Sequence, residues 1–155
     1  MATPKTILLR VNSRHADPPL FEAPATDALI KPGHFIIMLS TGKVDGTPTA
    51  ALWTPKWIAV ENPYIDPTVT STDAIDTVYA VNEPVRYVRL KSGDEVYALL
   101  TDEENVAIGA MLSTGVGGEV IEATPATDQT VIGIALEAVN NTGGSGALRI
   151  RMAIA

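Results

Sequence analysis

The chain contains no cysteine. That excludes disulfide scaffolds, thiolate metal sites, cysteine nucleophiles and dithiol redox chemistry together. Histidine is nearly as scarce: His15 and His34 are too few for the usual histidine-rich zinc site. Aromatic residues make up 5% of the 155 residues, which leaves little material for a broad stacking surface. Positive charge is also in short supply. Eleven Lys and Arg stand against 18 Asp and Glu, a net charge of -7, and such a surface disfavours a phosphate backbone as the main partner. No apolar run approaches the ~20 residues that span a bilayer. The opening residues 1–15 lack the apolar stretch and small-residue cleavage site of a signal peptide. The expectation is a soluble protein made and kept in the cytosol, with no membrane and no nucleic acid as partner. The Asn140-Asn141-Thr142 sequon is then a chance match.

What is present is apolar material in short pieces. Hydrophobic residues are 46% of the chain and charged residues 19%, and a chain of this size buries roughly 70% of its unfolded surface, enough for a core without a metal. Eleven prolines and 12 glycines punctuate runs rich in Val, Ile, Thr and Tyr, the pattern of an all-β domain. Strands are expected at 6–11 and at 34–39, the second between a Pro32-Gly33 turn and a Thr41-Gly42-Lys43-Val44 turn. Strands interrupted by loops are expected over 45–70. The clearest hairpin pairs 86–90 with 95–100 around Lys91-Ser92-Gly93-Asp94. Further strands are expected at 106–112, 119–123, 130–139 and 147–154, the last alternating Leu148, Ile150 and Met152 against Arg149 and Arg151. One short helix is expected over 71–80, with Ser71 or Thr72 as N-cap and Asp73 and Asp76 near its positive end. This spacing argues for a sandwich or barrel, preceded by an extended N-terminal arm over 1–27 and confined to a β-rich domain over 28–155.

The motifs that could carry chemistry read more simply as structure. Thr114-Gly115-Val116-Gly117-Gly118-Glu119 lacks the third glycine of a dinucleotide fingerprint and the Lys-Ser/Thr of a Walker loop, so a turn is expected. Gly143-Gly144-Ser145-Gly146 reads as a flexible hairpin loop between two strands. Asp102-Glu103-Glu104 matches no calcium-loop spacing and reads as a solvated loop. No Gly-x-Ser-x-Gly elbow raises any serine to a nucleophile. His34 lies in an apolar strand, as a satisfied structural imidazole, and His15 in an exposed proline-rich stretch. No catalytic, cofactor-binding or metal-binding residue is expected. Two segments remain as candidate contacts. Trp53 and Trp57 flank Pro55 as core plugs or as contact anchors. The first 20 residues set Lys5, Arg10 and Arg14 against Asp17, with Pro18 and Pro19 following. This end is either a frayed terminus or a docking arm, in which Ile7, Leu8 and Leu9 supply apolar burial and the three cations supply salt-sensitive steering.

Several segments together resemble the head decoration, or capsid cement, proteins of tailed bacteriophages. They are Ile30-Lys31-Pro32-Gly33-His34-Phe35-Ile36, Thr41-Gly42-Lys43-Val44, and Ser92-Gly93-Asp94-Glu95-Val96-Tyr97-Ala98. Further on come Val106-Ala107-Ile108-Gly109-Ala110-Met111-Leu112 with its following glycine turn, Ile132-Gly133-Ile134-Ala135-Leu136-Glu137, and Leu148-Arg149-Ile150-Arg151-Met152. The resemblance covers residues 28–153 in order. It implies a small β-barrel or β-tulip-like domain, no enzymatic activity and no cofactor. It also implies assembly as a homo-oligomer, a trimer ahead of a dimer, on the major capsid protein at the outer surface of the virion, after synthesis in the bacterial host cytoplasm. Two other classes compete. A carbohydrate-binding or adhesion module would use Trp53, Trp57, Tyr64 and Tyr87 for stacking. A trimeric nucleotide pyrophosphatase such as a dUTPase would need a C-terminal phosphate motif with Arg and Ser, whereas Gly143-Gly144-Ser145-Gly146 runs into Ala147-Leu148.

Overall fold

Frequent proline and glycine leave room for short strands, and the computed structural model has strands of two to seven residues. It describes residues 6–10, 18–26, 30–47, 56–64, 73–124, 129–143 and 146–155. In chain order the strands are β1 (Leu8–Arg10), β2 (Leu20–Pro24), β3 (Ile36–Met38), β4 (Val44–Gly46), β5 (Trp57–Ala59), β6 (Pro84–Arg89) and β7 (Glu95–Leu100). They continue as β8 (Asn105–Val106), β9 (Met111–Thr114), β10 (Val120–Glu122), β11 (Gly133–Ala135), β12 (Val139–Asn140) and β13 (Leu148–Ile154). Apart from a 3-10 turn at Val116–Gly118, no helix occurs among the described residues. None of them forms a helix long and apolar enough to cross a membrane.

Strands β7, β10, β9, β11 and β13 close a five-stranded barrel, because β13 pairs with β11 on one side and with β7 on the other. The β7–β13 seam runs antiparallel from Leu148↔Leu100 to Ala153↔Glu95. Strands β7 and β10 meet in parallel at Val120↔Leu100. The two-residue period of a strand sends Val96, Ala98 and Leu100 of β7 and Ile150, Met152 and Ile154 of β13 into the interior, where all are buried. Leu148 departs from the expected alternation and is exposed at the barrel end. Closure satisfies the backbone donors and acceptors that an open sheet would leave at its edges.

A three-stranded antiparallel sheet, β2-β6-β5, lies beside the barrel and sends apolar residues into a core on each face. Ile58, Val88 and Leu90 join the barrel residues in the larger core. Ala23, Ala59, Val85 and Tyr87 point the other way, into a smaller core with Ile30, Ile36, Val44 and Tyr79. The β3–β4 hairpin, turning at Leu39 and Lys43, covers that second core. Its contact with the barrel is backbone against backbone: Phe35 N–H donates to the Gly118 carbonyl at 2.7 Å. A Cβ on Gly118 would collide with the Phe35 carbonyl, and one on Gly46 with Gly117.

Several expectations are corrected. The turn at Lys91–Asp94 exists, closed by Asp94 N–H to Lys91 C=O at 3.1 Å and Lys91 N–H to Asp94 Oδ2 at 2.8 Å. It does not make a hairpin, because β6 belongs to the three-stranded sheet and β7 to the barrel. The turn pairs instead with the chain's end, Gly93 N–H donating to Ile154 C=O and Ile154 N–H to Asp94 C=O, both at 2.9 Å. The glycine-rich loop before β13 is likewise no hairpin, since β12 pairs with β8; Gly144 and Ser145 lie outside the described residues. At the other glycine-rich segment, where a turn was expected, a hairpin joins β9 to β10 through Val116–Gly118. The described part of the expected helix, residues 73–80, is one turn followed by extended chain. A helix would stack Ile75 and Tyr79 on one face, yet Ile75 enters the larger core and Tyr79 the smaller one. The runs 106–112 and 130–139 each break into two strands around a bend.

Candidate interaction surface

Of the expected contact residues, Lys5, Arg14 and Trp53 lie outside the described residues. Of the others, Ile7, Leu8 and Trp57 are packed into the fold, while Leu9 and Arg10 are exposed. Ile7 is 0% exposed and sits in the larger core. Its N–H donates to Glu61 Oε1 at 2.5 Å, and its carbonyl accepts Tyr97 N–H at 2.8 Å. Leu8 packs against the same core, and β1 pairs with β7 through Leu8↔Val96. Leu9 is exposed. Arg10 lies 3.7 Å from Glu95, which also receives Arg151 at 2.6 Å. The Arg151 guanidinium, with Arg10, holds the Glu95 carboxyl below the usual carboxylate range. So Arg10, one of the three cations named for steering, lies beside a carboxylate, and within the stretch expected as an arm residues 8–10 pair with β7. Ala23 and Ala25 are also buried.

Trp57 is half-buried and belongs to a cross-strand stack that the local sequence does not reveal. Register aligns Phe21 with Tyr87, Tyr87 with Ala59, and Trp57 with Arg89. Tyr87 is therefore the middle ring, 5.6 Å from Phe21 and 5.7 Å from Trp57, with interplanar angles of 25° and 28°. The Arg89 guanidinium lies over both outer rings, 4.3 Å from the Phe21 centroid and 4.9 Å from that of Trp57. Since Tyr87 is buried and Arg89 covers Trp57, two of the four residues named for sugar stacking present no open face. Tyr64 is exposed elsewhere, its N–H held by Asn62 Oδ1 at 2.8 Å.

The barrel wall shows the converse, exposed apolar groups. Met111 and Ile134 are register partners on β9 and β11, 44% and 43% exposed, and Ile134 also pairs with Ala153 of β13. Ile108, in the bend between β8 and β9, is 69% exposed. Together they make an apolar band on the outside of a closed barrel, where polar side chains would be expected.

The two polar positions with strong histidine or arginine chemistry are structural. His34 is buried; its Nδ1 accepts Lys31 N–H at 3.3 Å, so the protonated Nε2 faces Glu119 Oε1 at 3.8 Å. That imidazole holds the Glu119 carboxyl below the usual range against the opposing effect of burial. Arg149 stands, as expected, on the face of β13 opposite Ile150 and Met152, and there its guanidinium is covered by neighbouring turns. It donates to Pro32 C=O at 2.7 Å, to Ile75 C=O and to Asp76 Oδ1 at 3.1 Å, tying the barrel to the 30–34 and 74–76 turns. A shallow depression of about 290 Å³ at residues 140–143 and 146–148 holds no charged side chain. Among the described residues no three His, Asp or Glu side chains are grouped to hold a metal ion. No protein-family model matches the chain, and no curated protein sequence matches it.

Proposed function

We propose that the protein is a non-catalytic structural component of a tailed-bacteriophage head, a decoration protein that sits on the outer surface of the capsid and cements it. One observation carries this reading. The segments that resemble the family are not scattered through the fold but build one continuous unit, the barrel strands β7, β9, β11 and β13 with the β3–β4 hairpin docked on them. The reading is further supported by the exposed band of Ile108, Met111 and Ile134, which suits a protein that stays soluble through its net charge of -7 and buries apolar surface only on assembly.

The mechanism is avidity. A homo-oligomer, trimer ahead of dimer, touches several major capsid protein subunits at once, and effective concentration turns weak single contacts into durable attachment. Each bridging contact then resists the separation of neighbouring capsid subunits under internal pressure. The test is co-sedimentation of the purified protein with capsids of its own phage that lack it. Saturable binding that raises the temperature of capsid disruption supports the reading; absence of binding under conditions where the protein is folded removes it.

A further inference from the structure

We propose that Arg89, held between Phe21 and Trp57, is the anchor point of a protein-binding strip whose occupant is a peptide segment presenting one Asp or Glu carboxylate beside an aliphatic side chain. The proposal does not depend on the decoration reading and holds whichever protein supplies that segment.

Arg89 differs from every other described arginine. Arg10 and Arg151 pair with Glu95, Arg86 lies 3.7 Å from Glu22, and Arg149 reaches Asp76. Among the described residues no carboxylate lies within ion-pair distance of Arg89, and none of its side-chain N–H donors meets an acceptor. In a chain with seven more acidic than basic residues, an exposed guanidinium that meets no carboxylate among the described residues stands out. The side chain is nonetheless fixed in place: the faces of two rings hold it at 4.3 and 4.9 Å, and both rings stack on the buried Tyr87. The entropy of ordering a long side chain, ordinarily a cost of binding, is thus met in the free protein. A rigid arginine framed by tryptophan and phenylalanine is the composition found at the energetic centres of protein interfaces.

The same features select the occupant. The strip offers one cation on an apolar bed, which balances one negative charge and rewards an apolar neighbour. A phosphate group carries more charge than one guanidinium neutralises, and the acidic remainder of the surface repels a polyanion. A carboxylate fits the planar fork of the guanidinium through two parallel N–H···O bonds, while the half-buried edges of Phe21 and Trp57 take up an adjacent Leu, Ile or Val.

The experiment is NMR titration of the isotopically labelled full-length protein, following the Arg89 Nε–Hε and Trp57 indole signals. The probes are N-acetyl-Leu-Glu-Leu-amide, its Gln counterpart and inorganic phosphate. The expected result is saturable shifts of both signals with the Glu peptide, binding about tenfold tighter than the Gln peptide. In Arg89→Gln that preference disappears. In Arg89→Lys it is reduced, because an ammonium cannot make the paired bonds. Equal binding of the two peptides, no shift with either, or saturation by phosphate in preference to the Glu peptide would each overturn the proposal. The comparison of peptides on the unaltered protein needs no variant to fold.

Discussion

Tyr79 shows how a single side chain joins both cores. Its ring is buried among Ile30, Ile36 and Val85, and its hydroxyl donates to the Val60 and Glu61 carbonyls at 2.9 and 3.1 Å. Burial pushes the hydroxyl's pKa far up, so it remains a donor throughout the stable pH range. Tyr79→Phe leaves the ring but strands those carbonyls, and a stability loss of about 1–2 kcal/mol in urea unfolding is expected. Unchanged stability would show that the carbonyls find other donors. Glu119 gives a second prediction at this scale. Its pKa is lowered in the fold, so its contribution is present above the unfolded carboxylate pKa and is lost as pH falls through the folded one. The stability gap between the native protein and Glu119→Gln should therefore be open at neutral pH and close in acid; a gap that does not change with pH contradicts the pairing with His34. At this scale the sequence was informative about type but not about partner. An imidazole in an apolar run reads as buried, and so it is, but its distance from Glu119 depends on two loops meeting. Arg149 alternates with the apolar residues of β13 as expected, and only the Pro32 and Ile75 carbonyls, more than 70 positions away in the chain, cover its guanidinium.

The elements are held together by close backbone approach as much as by apolar packing. Gly118, with φ +92°, lies where any side chain meets the Phe35 backbone, so Gly118→Ala must part the β9–β10 loop from the β3–β4 hairpin. A loss of about 3 kcal/mol or more is expected, because backbone cannot rotate out of the way. Gly42, with φ +78° in the hairpin turn, has nothing near it. Gly42→Ala should cost about 1 kcal/mol, the strain of the backbone alone. Equal losses in the two variants would mean that the loop and hairpin are not in contact. Periodicity identified most of these strands but misassigned their neighbours. The alternation of 86–90 and 95–100 and the turn between them are present, while pairing is decided by burial: β6 has apolar residues on both faces and needs a core on each. A two-residue period records which face is apolar and is silent about which edge is joined.

For the whole molecule, the shared three-stranded sheet couples the barrel core to the smaller core, and Ile7 fixes the N-terminal strand to both β7 and Glu61. Deletion of residues 2–10 therefore removes a core side chain and a strand, and a loss of about 2–5 kcal/mol is expected by chemical denaturation, with the protein still unfolding in one transition. A truncated protein as stable as the full chain would contradict the packing of Ile7. The closed barrel was legible as an all-β class from punctuation and alternation; its order was not, because closure depends on β13 reaching back to β7 across some fifty residues of chain. The proposed place of this molecule on the phage head is checked by quantitative mass spectrometry of heads purified from infected cells, counting copies of this chain per head against the major capsid protein. A fixed ratio tied to the number of capsomers is expected, lost when the gene is deleted and restored by adding the protein to finished heads. Heads that contain none of it, or amounts that vary from one preparation to the next, would contradict it.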